Sequence, residues 1–251
     1  MTAPGSTATV IAARLGAVAT ALVSWWFLAA VVWSDNPVIS QIGPLDAVPA
    51  LVDHVANGGG LSDASTSLGR LLAGLAVATV VGVPLGVLLG LRPGIESAAS
   101  PVINFLRMIS PLAWAPVVIV ALGVGSGPVV FLVAVTAVWP VALGTASGVR
   151  QVAPSWYAVA QSLGASRREQ ILLVTAPAIR VTVLTSVRLA LGVAWIVLVP
   201  AEMLGVDSGL GYAVLNARDQ LDYPMLGATV LFIGAIGYAL DTLFRRLLPS
   251  Q

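Results

Sequence analysis

Residues 154–177 read PSWYAVAQSLGASRREQILLVTAP, and long apolar runs flank this stretch on both sides. Before it, Met108 to Val149 carries no charge; after it, Val181 to Ala201 is interrupted only by Arg188. The pattern within predicts a short helix from Ser155 to Leu163, with Gly164 placed to end it in the left-handed conformation. Ser166-Arg167-Arg168-Glu169 then has the form of a capping box, in which the serine caps the next helix and the glutamate reaches back. Ile171, Leu172 and Val174 carry that second helix up to Pro177, which opens the next apolar segment. The result is a helix–glycine–helix elbow, too interrupted to be a membrane span. Tyr157, Ala160 and Leu163 lie three residues apart and give the first arm an apolar edge with a small centre. Such an elbow suits an interfacial helix resting on lipid or a plug for a groove on a cytosolic protein. The residues alone leave both open.

Composition sets the solvent. Of 251 residues, 58% are hydrophobic and 9% charged, with a mean hydropathy of +0.96. Soluble domains carry about 25% charged residues, so this is a polytopic membrane protein. Cysteine is absent, which removes disulfides, thiolate metal sites and cysteine nucleophiles. The twelve basic residues are all arginine. Without lysine there is neither a phosphate-binding loop of the usual kind nor Schiff-base chemistry, so any ATP must be held by another chain. A net charge of +1 offers no face for a polyanion, and nucleic acid is not an expected partner.

Charge-free windows of about 20 residues mark the spans. Leu15–Ser34 is the first; its apolar run exceeds the 7–15 residues of a cleaved signal, so it reads as a retained helix. Leu71–Leu91 is the second. Met108 to Val149, roughly 63 Å as helix, is expected to break at Gly123-Val124-Gly125-Ser126-Gly127-Pro128 into the third and fourth. Val181–Ala201 and Tyr223–Leu240 complete six. Arginine placement puts both termini in the cytoplasm: Arg14, Arg92, Arg107, Arg150, Arg167, Arg168, Arg180, Arg245 and Arg246 then lie inside, with Arg70 and Arg218 towards the outside. This makes residues 154–177 cytoplasmic. Gly82, Gly86 and Gly90 give the second span a bare face for close helix packing, and Pro84 is expected to kink it. Pro44–Asn57 is predicted as a short external amphipathic helix ended by glycine, with His54 as a solvated side chain on it.

The elbow resembles the cytoplasmic signature of the transmembrane subunits of ATP-binding cassette importers: Glu-Ala-Ala, three residues, Gly, nine residues, Ile-x-Leu-Pro. Here Ala158-Val159-Ala160, Gly164 and Val174-Thr175-Ala176-Pro177 keep that spacing, with Ala160, Gly164 and Pro177 identical and Ala158 in place of the glutamate. Ser110-Pro111-Leu112-Ala113-Trp114-Ala115-Pro116 is similar to a segment of the nitrate/sulfonate/taurine/bicarbonate permeases. So is Val187-Arg188-Leu189-Ala190-Leu191-Gly192-Val193-Ala194-Trp195, running on to Ala201-Glu202-Met203-Leu204 and Gly209-Leu210-Gly211. The resemblance covers roughly residues 60–247.

It implies an all-α type I importer fold of the MetI-like kind with six transmembrane helices. Residues 1–60 would supply an N-terminal helix and the external amphipathic helix; residues 61–247 would be the transport core. It further implies a permease subunit without catalysis of its own, working by alternating access. Its implied partners are a cytosolic ATPase dimer that holds ATP and Mg, a second permease subunit as a homodimer, an external binding protein or lipoprotein, and membrane lipid. No cofactor would bind this chain. Tyr157, Ala158, Val159, Ala160, Leu163, Gly164, Ala165, Ser166 and Arg167 would make the ATPase contact. The solute would be a small anion or organic molecule, on the nitrate-like or bicarbonate-like side of the family ahead of sulfonate or taurine.

Three residues are candidates for the pathway. Arg188 is the ionisable residue set inside a span, facing either the solute or carbonyls of a neighbouring helix. Trp195 follows two turns on. Glu202, at the outer end of the fifth span, would shape a gate or docking surface, or simply meet interfacial water. Two other function classes fit worse. A serine protease built on Gly125-Ser126-Gly127 lacks a histidine in any span. An ion-coupled secondary transporter would be expected to bury carboxylates near span centres and would leave the elbow unexplained.

Overall fold

The structure is a computed structural model and describes residues 7–247, all of whose regular elements are helical. They are α1 (Thr7–Phe27, extended by a π turn, Leu28–Val32), α2 (Pro37–Gln41), α3 (Pro44–Ala56), α4 (Gly59–Leu91), α5 (Pro93–Met108), α6 (Ala115–Leu122, after a 3₁₀ turn at Pro111–Trp114) and α7 (Ser126–Arg150). Then come α8 (Pro154–Ser162), α9 (Arg167–Glu169), a π turn (Gln170–Thr175), α10 (Ala176–Gly205), α11 (Leu210–Asp219) and α12 (Tyr223–Leu247). Among the described residues four helices are long and apolar enough to cross a membrane, and a bent pair, counted as one span, makes a fifth. The apolar stretch Ala19–Val32 of the first helix is shorter, an arrangement consistent with six segments.

The chain divides into two compact units, Met1–Ser62 with Ala213–Ala235, and Asp63–Tyr212 with Ile236–Gln251. In the first, Asn36 caps α2 by accepting from the N–H groups of Val38 and Ile39, and α3 carries Ala47 fully buried. Gly227 brings the backbone of α12 against Ala47 and Ile42, where a Cβ would lie 3.1 Å from each. His54 corrects the expectation of a solvated ring: it lies beneath Gly59 and Gly60, whose Cβ atoms would come within 2.9 Å of it. The bare backbone of those glycines makes the space.

The second unit is built round α7. More than half of its most apolar window is buried (56%), and Leu132, Val133, Ala137 and Val141 form the core with Leu71, Ala194 and Leu198. α4 lies along α7 in parallel and constant register, with Gly74 on Val133, Gly82 on Val141, Gly86 on Thr145 and Gly90 on Val149. α10 meets α7 antiparallel through Gly144 on Ser186 and Gly148 on Thr182. The small-residue face expected of the second span is therefore a packing seam, about two turns longer than the motif suggests. A Cβ on Gly86 would sit 2.3 Å from the Ala142 carbonyl oxygen, whereas one on Gly192 meets nothing within 4 Å. Gly86→Ala is expected to cost about 1–3 kcal/mol through backbone displacement. Gly192→Ala should cost nothing, and melting temperatures in detergent compare the two directly.

Three boundaries differ from the window reading. α4 starts at Gly59 and runs unbroken through Asp63, Arg70 and Pro84, because charges bound an apolar window without ending a helix. Met108 to Leu122 is no straight span: α5 and the segment Pro111–Leu122 meet at 80°. Pro111 disfavours the helical region for the residue before it, and Ser110 is extended (ψ 127°). The expected break at Gly123–Gly125 is present, with φ of +78° and +131°. Finally, α10 continues backwards through the π turn to Arg167. Pro177 lacks an N–H and its ring crowds the carbonyl four residues back, and a widened turn relieves both. The continuous helix Arg167–Gly205 has 39 residues, roughly 58 Å. A hydrocarbon core is about 30 Å thick, so one end must project.

Candidate functional site

The projecting end is the elbow. α8 closes with a Schellman motif: the Gly164 N–H donates to the Gln161 carbonyl and the Ala165 N–H to the Ala160 carbonyl, 2.9 Å each. Gly164 sits at φ +77°, as its position predicts. The capping box also forms, with the Ser166 N–H donating to Glu169 Oε2 (2.7 Å) and the Glu169 N–H donating to Ser166 Oγ (3.3 Å). The Ser166 hydroxyl, and then the Ser166 N–H, hold the Glu169 carboxyl below its usual range. Two further bonds fix the angle between the arms. The Gln170 side chain donates to the Ala165 carbonyl (2.9 Å), and the Tyr157 hydroxyl bonds Thr175 Oγ1 (2.9 Å). Thr175 is fully buried.

That second bond turns the first arm. Tyr157 and Ala160 lie half-buried against the second arm, so the outward apolar stripe is not Tyr157–Ala160–Leu163. It is Trp156 (56% exposed), Val159 (60%) and Leu163 (82%). Leu163 and Val159 stand where the sequence places them; Trp156 was missed. Ala158, Gly164, Ser166 and Arg167 are exposed beside the stripe and Ala165 is half-buried. The nine candidates therefore form one knob, with Tyr157 as its inner brace.

At the opposite end of α10 lies a second constellation that the sequence reading did not assemble. Glu202 is fully buried and Arg70 nearly so (6%). Arg70 Nη1 donates to Glu202 Oε1 (2.8 Å), the Ser67 hydroxyl to both carboxylate oxygens (2.9 and 2.8 Å) and the Gly211 N–H to Oε2 (2.9 Å). Arg70 also donates to Ser126 Oγ, the Ser208 carbonyl and Ser208 Oγ (2.9, 2.7 and 2.9 Å). The Leu210 N–H donates to Ser67 Oγ (2.9 Å). Gly209, at φ +99°, passes so close that a Cβ would lie 2.6 Å from Glu202 Oε1. One arginine–glutamate pair thus clamps the Ser67–Arg70 turn of α4, the start of α7 and the loop after α10. Glu202 meets protein donors, not water. The available signal was an arginine and a glutamate each placed at the same end of an apolar helix.

Arg188 is partly exposed (27%) and bonds Asp241 Oδ1 through Nε and Nη2, 3.0 and 2.8 Å. Arg245 holds the other oxygen at 2.8 Å. Its partner is thus a carboxylate on α12, where helix carbonyls were the alternative expected. Trp195 packs its indole nitrogen against Gly237, whose Cβ would be 2.6 Å away. Arg188 and Trp195 both bear on α12, and Glu202 stands apart in the clamp.

A family model described as "Binding-protein-dependent transport system inner membrane component" matches residues 82–250. The chain is 35% identical over 177 residues to the bicarbonate transport system permease protein CmpB of Synechococcus elongatus, a match covering 70% of this chain and 63% of that protein. It is 31% identical over 250 residues to the taurine transport system permease protein TauC of Escherichia coli K12, covering 94% and 88%. In structure it is similar to a chain of the MetNI methionine ABC transporter in inward-facing form. The TM-score is 0.60 at 18% identity, covering 73% of this chain and 91% of that one, which is a likeness of fold.

Proposed function

The chain belongs to the family of binding-protein-dependent transport system inner membrane components, and from that premise we propose that it is the permease subunit of an ATP-driven importer of a small anion or organic solute. Two copies would form the pathway, a cytosolic ATPase dimer would hold ATP and Mg and drive it, and an external binding protein would deliver the solute. Both termini and the elbow would be cytoplasmic, as the arginine distribution favours. Residues 61–247 would be the transport core, with 1–60 an N-terminal addition. The solute would be bicarbonate-like or nitrate-like ahead of a sulfonate, in keeping with the similarity to CmpB.

The observation that carries this reading is the knob: an exposed apolar stripe on an internally braced elbow, on a chain with no lysine for ATP. A helix of this kind enters a groove on its partner through residues at i, i+3 and i+7, and Trp156, Val159 and Leu163 have that spacing. Reconstitution with the partner ATPase and binding protein should give solute uptake abolished by vanadate. Uptake driven by an ion gradient alone would replace this reading with a secondary transporter. Asp241 is the residue that such a transporter could use, yet two arginines hold it as a fixed charge, which suits it to tying helices and not to shuttling protons.

Arg188 and Trp195 are proposed to border the pathway on the α10–α12 face, and Glu202 to shape the external gate through the clamp. Arg188→Gln should keep assembly and ATPase association while lowering uptake at least about tenfold, the order expected when one charged contact is lost. Size exclusion with the ATPase and solute uptake measure the two separately. Loss of the assembled complex would assign Arg188 a purely structural role.

A further inference from the structure

Between the elbow and the second half of α4 lies a cavity of about 900 Å³ whose lining includes none of the outward stripe Trp156, Val159 and Leu163. One wall is apolar, with Val83, Val87, Leu88 and Leu91 on α4 and Ile171 from the second arm of the elbow. At its mouth stand Arg92 and Arg167, with Gln161 and Gln170 beside them. No carboxylate lines it. Both arginines are exposed, and among the described residues neither forms an ion pair, in contrast to Arg70, Arg150, Arg188, Arg218 and Arg245.

The polarity is ordered. Val83 to Leu91 is the last apolar stretch of α4 and Arg92 ends it, so the wall is apolar over two turns of helix and cationic at the level where the span leaves the hydrocarbon. A phospholipid has the same order along the membrane normal. A soluble anion would gain nothing from the leucines. A second copy of this chain would bring an identical pair of unpaired arginines to a cationic mouth. Basic pockets between membrane helices on the cytoplasmic side are the sites where anionic headgroups collect.

We propose that this cavity binds one anionic phospholipid, its acyl chains along Val87, Leu88 and Leu91 and its phosphate between Arg92 and Arg167. Arg167 and Gln170 belong to the elbow, so the bound lipid would fasten the knob to the inner leaflet and set the angle it presents. The choice of leaflet rests on the orientation proposed above; the binding itself does not, and it is measurable on the purified chain without ATPase or solute.

The test is native mass spectrometry of the full-length chain in detergent, titrated in parallel with phosphatidylglycerol and phosphatidylcholine of matched acyl length. Wild type should retain one phosphatidylglycerol in preference to phosphatidylcholine. The Arg92→Gln/Arg167→Gln double variant should lose that preference by about thirtyfold, the worth of two interfacial arginines. Arg168→Gln, which removes the same single charge as each single variant but outside the cavity, should keep it. Neither Arg92 nor Arg167 has an internal ionic partner, so the double variant should elute as wild type does, and each single variant should fall between. Equal retention of the two lipids, an Arg168→Gln loss as large as the double variant's, or displacement of the bound lipid by millimolar inorganic phosphate would overturn the proposal. So would a double variant that keeps its lipid but no longer dimerises, which would assign the cavity to a second copy.

Discussion

Replacing Gly164 by valine is expected to leave the chain in the membrane, folded, and unable to hold its ATPase. Gly164 sits at φ +77°, and a Cβ there would meet nothing within 4 Å. The cost is therefore confined to the backbone. An L residue in the left-handed region costs roughly 1–2 kcal/mol, and more when β-branched. The turn would escape by opening, which breaks the bonds to the Gln161 and Ala160 carbonyls and swings Leu163 out of line with Trp156 and Val159. A shift of about 2 kcal/mol is roughly thirtyfold in the fraction of knobs correctly shaped. Co-purification with the ATPase should fall to match, while the amount of inserted chain stays constant. Gly164→Asn, which tolerates positive φ, should recover most of the association. Undisturbed association of the valine variant would remove the elbow from the contact.

Glu202→Ala is expected to have the largest effect on stability. The clamp is a buried ion pair whose members are both satisfied, and removing one partner strands the other. Such losses run to about 3–5 kcal/mol. Arg70 would be left nearly buried with only Ser126 and Ser208, and Ser67 would lose both of its acceptors. The Arg70→Ala/Glu202→Ala double variant should be less damaged than the sum of the two, because neither charge is then stranded. Unfolding in detergent followed by tryptophan fluorescence gives all three values. Additive losses would show that the pair acts as two independent contacts.

How far these sites were legible in the sequence depends on how local they are. The elbow's turn and cap are decided by neighbours: glycine at one position, serine three residues before glutamate, proline where the next helix opens. The glycine turn and the serine–glutamate cap formed; the proline only widened a turn within a helix that runs on from Arg167 to Gly205. The direction in which the first arm faces is not local. It follows from the bond between Tyr157 and Thr175, 18 residues apart, which draws Tyr157 inward and leaves Trp156 outside. The clamp joins residues 132 apart, and its sequence signal is only two opposite charges at corresponding helix ends. A hydropathy window also cannot see backbone restriction, which is why Ser110–Pro111 passed as the interior of a span. It cut the last span at Asp241 for the opposite reason: a charge that Arg188 neutralises does not end a helix.

The central claim is that residues 154–177 form a cytosolic knob gripped by an ATPase on a separate chain. The absence of cysteine makes Leu163→Cys the sole thiol, at the most exposed point of the stripe. In right-side-out vesicles a membrane-impermeant maleimide should leave it untouched, and in inside-out vesicles it should label it fully. A short bifunctional cross-linker should then join it to the ATPase. Labelling from the outer face, or a thiol that never reaches an ATPase under any nucleotide condition, would contradict the account.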